Sequence, residues 1–180
     1  MANPEQVTST KRIYKGRVIG LRIDTIKMAD GTVSERAIVE HGESVCIVAI
    51  DENDVVVLVR QYRLAAGQHL LEIPAGSMEP NETPLEAAQR ELREETGRLA
   101  SKWEKLGGYY AAPGYTAEFL HLFLAKELSK GPDDQDEDED VEVETHALNS
   151  IPSMIANGTI RDAKSIAGLL QVIHGLGTLK

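Results

Sequence analysis

Three glutamates in one short segment, Glu91, Glu94 and Glu95, are the residues of this sequence best suited to chemistry. In a helix, Glu91 and Glu95 would lie along one edge of the apolar face, with Glu94 just beyond them. Arg90, four residues before Glu94, is spaced to pair with it. Three neighbouring carboxylates repel one another. They predict either a solvated helix face or a site for a hard cation such as Mg²⁺, which prefers oxygen ligands and would remove the repulsion.

The residues around these glutamates predict a helix over residues 84–96. Thr83 and Glu86 form a capping box, and Pro84 occupies the first helical position. Gly97 stands where a left-handed C-terminal cap belongs. The apolar stripe of this predicted helix consists of Leu85, Ala88 and Leu92.

The spacing of the fixed residues in this region is more specific than the glutamates alone. Gly76 is followed after five residues by Glu82, and after seven more by the run from Arg90 to Gly97. This order resembles the Nudix box, in which two glycines, four glutamates and an arginine stand at fixed positions. Arg98 replaces the final bulky aliphatic residue of the box, a difference that concerns packing rather than chemistry. The resemblance implies a hydrolase of a nucleoside diphosphate linked to another moiety.

The composition of the 180 residues suits one globular domain, with 42% hydrophobic and 27% charged residues. A net charge of −10 argues against nucleic acid or an acidic membrane surface as the main partner. An acidic protein that handled phosphates would need metal ions to bridge like charges. There is neither an apolar run of the roughly 18 residues that a membrane span needs nor a secretory signal. The single cysteine, Cys46, is expected in the core and favours a cytoplasmic location.

The apolar pattern predicts an α/β fold with a mixed sheet between helices, an α/β/α sandwich, and a small N-terminal antiparallel β region. Residues 1–12 are predicted to be flexible. Residues 13–42 read as the hairpin-rich β region, and residues 43–180 as the main domain, with the box over residues 76–98. A final helix is expected after a cap at Asp162.

The likeness extends beyond the box, from about Tyr14 to Leu170. Within the Nudix family the chain is similar to the ADP-ribose pyrophosphatases and related nucleoside-diphosphate-sugar hydrolases. The segments that carry the resemblance are Arg60–Arg63, Leu71–Gly76, Pro113–Thr116 with Glu118, Asp136–Val143 and Gly158–Lys164.

This resemblance implies a set of metal ligands. Glu91 and Glu95 would bind Mg²⁺, with Glu94 contributing and the backbone carbonyl of Ala75 completing the site. Mn²⁺ is a possible replacement. The chemistry agrees, because Mg²⁺ ions in such sites keep waters and bridge substrate phosphates.

The resemblance also implies substrate contacts. Arg63 and Glu72 match substrate-binding positions of the branch, Pro113 matches its specificity mark, and Arg36 matches an arginine that helps to hold the nucleotide. An arginine suits phosphate through its planar fork. The alternative for Arg63 and Arg36 is an ordinary surface ion pair.

A glutamate of the acidic run over residues 133–140 would act as the catalytic base, as the resemblance implies. Glu139 is the first candidate by its distance from the strand beginning at Val141, and Glu137 is the second. A loop carboxylate beside an attacking water can serve as a base. The alternative is a solvated acidic loop.

Three functions follow as hypotheses. The favoured one is cleavage of ADP-ribose, or another nucleoside diphosphate sugar, to a nucleoside monophosphate and a sugar phosphate. The second keeps the enzyme class with another substrate, such as GDP-mannose or a flavin- or nicotinamide-containing dinucleotide. The third is a non-catalytic Nudix ligand sensor, against which the four intact glutamates of the box argue.

The N-terminal β region predicts an assembly. It carries more apolar residues than a free-standing hairpin can bury. Related pyrophosphatases exchange this region within a two-fold dimer, so the resemblance implies a homodimer in which Arg36 serves the pocket of its own or its partner's chain. The apolar residues are Ile13, Val18, Leu21, Ile23 and Ile26.

Overall fold

The computed structural model describes residues 5–131 and 141–175. The chain divides into an N-terminal unit, Met1–Glu43 with Tyr110–Phe119, and a main unit, Ser44–Tyr109 with Leu120–Lys180. Across the described residues, no helix combines the length and apolar character needed to span a membrane.

Three antiparallel strands build the sheet of the N-terminal unit. The predicted flexibility of residues 1–12 is wrong from Glu5 onward, because the first strand pairs with the second from Glu5 opposite Met28 to Lys15 opposite Gly20. This pairing satisfies backbone groups that a frayed segment would leave to water. The strands are β1 (Glu5–Lys15), β2 (Ile19–Met28) and β3 (Val33–His41), with β2 in the centre.

The segment Tyr110–Phe119 also belongs to the N-terminal unit, although the sequence pattern placed it in the domain over residues 43–180. Its backbone is bonded to β3. The N–H of Val39 donates to the carbonyl of Tyr115 at 2.8 Å, and the N–H of Ala117 donates to the carbonyl of Val39 at 3.3 Å.

A mixed sheet of seven strands forms the main unit. The strands are β4 (Ser44–Ile50), β5 (Val55–Arg63), β6 (Gln68–Glu72), β7 (Ala75–Ser77), β8 (Arg98–Tyr110), β9 (Phe119–Lys130) and β10 (Val141–Ala147). Strands β4 and β9 are parallel, whereas β5 is antiparallel to β4, β6 and β10, and β7 is antiparallel to β4. The order is β10-β5-β4-β9-β8, with β6 also paired to β5 and β7 to β4.

Helices cover both faces of this sheet, as the alternation along β4 shows. Val45, Ile47 and Ala49 pack in one cluster with Leu92 of the first helix. Cys46, Val48 and Ile50 pack in the other with Ile151 and Leu169 of the second and third helices. Successive strand residues point to opposite faces, so the predicted α/β/α sandwich is confirmed. The helices are α1 (Pro84–Thr96), α2 (Ile151–Ala156) and α3 (Ala163–Ile173), and a 3₁₀ turn, Leu148–Ser150, precedes α2.

Local sequence fixes both ends of α1. The predicted capping box of Thr83 and Glu86 is present, and Gly97 adopts the left-handed conformation with φ of 62°. The predicted stripe is partly wrong, because Leu85 is 39% exposed while Ala87 is buried beside Ala88 and Leu92. The buried face of α1 is therefore turned toward the two alanines, whose small side chains allow a close approach to β4.

Candidate active site

The segment between β6 and α1, which includes β7, is held in place by hydrogen bonds from two directions. The N–H of Ile47 on β4 donates to the carbonyl of Pro74 at 2.9 Å. The N–H of Ala75 donates to Glu95 Oε2 on α1 at 3.0 Å. Glu95 is only 4% exposed. The structure thus brings together Ala75 and Glu95, two of the residues predicted to share a metal site.

Gly76 lets the loop and the helix approach each other. A Cβ atom at this position would fall on the carboxylate of Glu91. A larger residue would therefore require the Glu91 carboxylate, at the flexible end of its side chain, to move away from this backbone. The arrangement places the Glu91 carboxylate directly against the backbone that follows Ala75.

Arg90 is the centre of the charged face of α1. Its Nη1 donates to Glu91 at 2.7 Å and to Glu94 at 3.0 Å, so the predicted pair with Glu94 is confirmed. Its Nε and Nη2 donate to the two oxygens of Glu82 at 2.9 and 3.0 Å, and Nη2 also reaches the carbonyl of Ser77 at 3.0 Å. The bonds from Arg90 hold the pKa of Glu82 below its ordinary value and raise the pKa of Arg90 itself.

Arg63 and Glu72, both predicted to bind substrate, form a two-pronged ion pair. Arg63 Nε and Nη2 each donate to one oxygen of Glu72 at 2.8 Å. Glu72 is 1% exposed, whereas the Arg63 side chain is 40% exposed. Burial alone would raise the pKa of Glu72, but the bonds from Arg63 and Lys164 outweigh it and lower the pKa. The carboxylate is therefore charged and holds an arginine whose remaining surface meets solvent.

Arg36 and Pro113 belong to the N-terminal unit. Arg36 donates to Glu5 at 2.9 Å and to the hydroxyl of Ser34 at 3.0 Å. Its side chain is 40% exposed. Pro113 lies exposed in the turn that precedes the residues bonded to β3. Their predicted contact with a nucleotide remains a prediction.

Glu137 and Glu139, the predicted bases, lie outside the described residues. The described chain stops at Gly131, whose N–H donates to the carbonyl of Gly97 at the end of α1 at 2.8 Å. It resumes at Val141, which pairs with Gln61 on β5.

Known proteins decide the family. The NUDIX domain model matches residues 40–169. The chain belongs to the Nudix family. It is 34% identical over 176 residues to the ADP-ribose pyrophosphatase of Mycobacterium tuberculosis, covering 96% of this chain and 84% of that protein. It is 38% identical over 125 residues to the ADP-ribose pyrophosphatase of Bacillus subtilis, covering 69% of this chain and 68% of that protein.

A solved structure supports the fold of this Nudix protein. The crystal structure of an ADP compounds hydrolase superimposes with a TM-score of 0.87, covering 98% of this chain and 96% of that one, at 22% sequence identity. The family match and the two enzyme relatives make the chain a Nudix hydrolase, an enzyme acting on phosphorus-containing anhydrides.

Nudix hydrolases generally need divalent metal ions, and the donors around this box fit such an ion. Glu91, Glu94, Glu95 and the carbonyl of Ala75 offer only oxygen, the donor that hard cations prefer. Within residues 5–131 and 141–175, no three acidic, His or Cys side chains converge into a ready metal cluster. The carboxylates are instead bonded to Arg90 and to the N–H of Ala75.

Two contacts of this Nudix site were not predicted from the sequence. One is the pairing of Arg90 with Glu82. These two residues are eight apart in the sequence, which does not correspond to helical spacing. The other is Lys164, which bonds to Glu72 although 92 residues separate them. Lys164 stands in the segment Gly158–Lys164 that carried part of the resemblance, so the only available signal was its place in that segment.

Proposed function

We propose that the chain is a Mg²⁺-dependent pyrophosphohydrolase that cleaves ADP-ribose, or a closely related nucleoside diphosphate sugar. One observation carries the proposal: the carboxylates of Glu95 and Glu91, two glutamates of the box, lie beside the backbone of Ala75 and Gly76. The two relatives named ADP-ribose pyrophosphatase support the choice of substrate. Water adds to one phosphorus, and the bond between that phosphorus and the bridging oxygen breaks. The products are a nucleoside monophosphate and a sugar phosphate.

The charges of the site divide into two roles. The carboxylates of Glu91, Glu94 and Glu95, with the carbonyl of Ala75, would hold the metal. When bound, Mg²⁺ or Mn²⁺ polarises the diphosphate and lowers the pKa of a coordinated water. Arg63 keeps a partly exposed guanidinium, already oriented by Glu72, for an anionic or hydrogen-bonding part of the nucleotide.

We further propose that a carboxylate of the acidic run takes the proton from the attacking water, with Glu139 ahead of Glu137. The described residues on either side of the run support a base from this segment, because Gly131 is bonded to Gly97 at the C-terminal end of α1 and Val141 pairs with Gln61 on β5, the strand that also bears Arg63. Comparing Glu139→Gln with Glu137→Gln tests the order. The variant with the lower kcat at unchanged KM identifies the base.

A substrate panel tests the proposed function. ADP-ribose, GDP-mannose, other nucleotide sugars and NADH- or flavin-type dinucleotides are incubated with the protein and Mg²⁺, and released monophosphates are measured by phosphatase coupling. The highest kcat/KM is expected for ADP-ribose. A higher kcat/KM for GDP-mannose or a dinucleotide would identify that compound as the substrate instead of ADP-ribose. Binding without turnover of any compound would support the sensor hypothesis.

We also propose a homodimer in the cytoplasm. The three-stranded N-terminal sheet and the connection between β1 and β2 leave six large apolar side chains at least 43% exposed in the single chain: Val7, Ile13, Tyr14, Val18, Ile19 and Val33. A second copy that covers this sheet would remove them from water. The single cysteine, Cys46, supports the reducing compartment.

Light scattering checks the assembly, for which we expect twice the chain mass of 19.7 kDa. Ile13→Glu combined with Val18→Glu should yield monomers, because charges would be buried in the interface. Asn53→Glu, on an exposed turn of the main unit, adds a charge and should leave the dimer intact. Deleting residues 1–40 should abolish dimerisation and activity together, and a fully active monomer would contradict the proposal.

A further inference from the structure

Lys164 lies behind the Arg63–Glu72 pair and has no role in the function proposed above. Its Nζ is bonded to Glu72 Oε2, the oxygen that also accepts from Arg63 Nη2. It also donates to Asp162 Oδ2 at 3.0 Å. The Lys164 side chain is 13% exposed and that of Glu72 is 2% exposed. This ion pair is therefore largely shielded from the water and salt that weaken surface pairs.

The backbone that carries Lys164 is fixed to the strand that carries Glu72. Asp162 caps α3 by accepting from the N–H of Ser165 at 2.9 Å and from its hydroxyl at 2.6 Å. The same hydroxyl of Ser165 accepts from the N–H of Ile73 at 2.8 Å. Lys164 and Ser165, adjacent in α3, thus contact Glu72 and Ile73, which are adjacent at the end of β6. These contacts keep the ammonium group of Lys164 beside the carboxylate of Glu72.

The exposure of the side chains in this cluster increases from Glu72 through Lys164 to Arg63. Glu72 is buried, Lys164 is nearly so, and only Arg63 has a side chain as much as 40% exposed. A carboxylate turns easily about its terminal torsion. Arg63 alone would follow such a rotation, whereas a third bond from a fixed lysine stops it. The charges of Arg63 and Lys164 are balanced by those of Glu72 and Asp162, so no member is left as an uncompensated charge.

We propose that Lys164 is a positioning residue that holds the Glu72 carboxylate and, through it, orients the Arg63 guanidinium toward the substrate. This inference rests on the proposed function, because it takes Arg63 as the group that meets the nucleotide. A purely structural lysine would join α3 to β6 without influencing Arg63. The two roles differ in what happens to Arg63 when Lys164 is replaced.

Steady-state kinetics with ADP-ribose provide the first test. Lys164→Met should raise KM by roughly tenfold, the scale of one hydrogen bond to a charged group, with kcat changed by less than about twofold. Lys164→Arg, which keeps the charge and the donors, should restore most of the affinity. Lys105→Met, at an exposed lysine of β8, makes the same chemical change and should leave KM unaltered.

A double-mutant cycle tests whether Lys164 acts through Arg63. In an Arg63→Ala background, Lys164→Met should add little to the rise in KM, since the group that it orients is gone. Losses that multiply would show that Lys164 acts independently and would overturn the proposal. A fall in kcat without a change in KM would overturn it as well.

The NMR signal of the Arg63 Nε–H gives a readout that needs no substrate. It is identified by its disappearance in Arg63→Lys. In the parent protein it should exchange slowly with water because Glu72 accepts it, and in Lys164→Met it should broaden or vanish, while Lys164→Arg retains it. An unchanged signal in Lys164→Met would refute the positioning role.

Failure of the proposed function would give a different result, namely a parent protein that hydrolyses no nucleotide sugar. If Lys164→Met does not fold, Lys164→Gln replaces it in every measurement.

Discussion

Replacing Glu95 by glutamine should remove most of the turnover and leave the fold intact. The amide oxygen of glutamine can still accept from the N–H of Ala75, so the loop before α1 keeps its anchor. The substitution removes the negative charge with which Glu95 would bind the metal. Turnover of ADP-ribose with Mg²⁺ should therefore fall by roughly a hundredfold or more, the scale of a lost catalytic group.

A control separates this effect from a general change in charge. Glu104→Gln alters an exposed glutamate of β8 and should keep full activity. Calorimetric titration of each variant with Mg²⁺ provides a second readout, in which only Glu95→Gln should bind the ion more weakly. If Glu95→Gln keeps most of its activity at saturating Mg²⁺, Glu95 is not a metal ligand.

Local sequence was sufficient to predict α1 and its ends. The capping box, the proline at the start and the glycine after Thr96 depend on neighbours within four residues. The pair of Arg90 and Glu94 follows from helical spacing in the same way. These features need no knowledge of the rest of the fold, which is why they could be read from the chain.

Contacts between distant segments could not be predicted so directly. Lys164 reaches Glu72 across 92 residues, and only the packing of α3 against the end of β6 brings them together. The strand at residues 5–12 was missed for a related reason. Apart from Val7, its side chains are polar, most of them are exposed, and its order comes from backbone pairing with β2, so there is no apolar pattern to recognise.

Replacing Arg90 by glutamine should cause the largest loss of stability on the charged face of α1. Arg90 is the cation that Glu82, Glu91 and Glu94 share, and its side chain is 20% exposed. Removing it leaves three carboxylates repelling one another at low exposure. We expect a loss of about 2 to 4 kcal/mol, somewhat below that for a fully buried pair. For a chain of this size the loss lowers Tm by roughly 5 to 15 °C.

Two variants on the same helix serve as comparisons. Arg93→Gln removes the same charge from a side chain that is 38% exposed and pairs with Glu94, so its cost should stay below about 1 kcal/mol. Arg90→Lys keeps the charge but lacks the planar fork that reaches several acceptors, and its Tm should fall between the two. Equal losses of stability for Arg90→Gln and Arg93→Gln would show that the network around Arg90 contributes no more to stability than the single pair of Arg93 with Glu94.

Metal should partly reverse the effect of Arg90→Gln. Without Arg90 the potential at Glu91 and Glu94 is more negative, so a divalent cation that binds these carboxylates gains affinity. A ligand that binds only the folded state raises stability in proportion to the logarithm of its concentration over Kd. The rise of Tm on adding Mg²⁺ should therefore be larger for Arg90→Gln than for the parent protein, and larger than for Arg90→Lys. If Mg²⁺ raises Tm equally in all three, the carboxylates that Arg90 holds are not the ones that bind the metal.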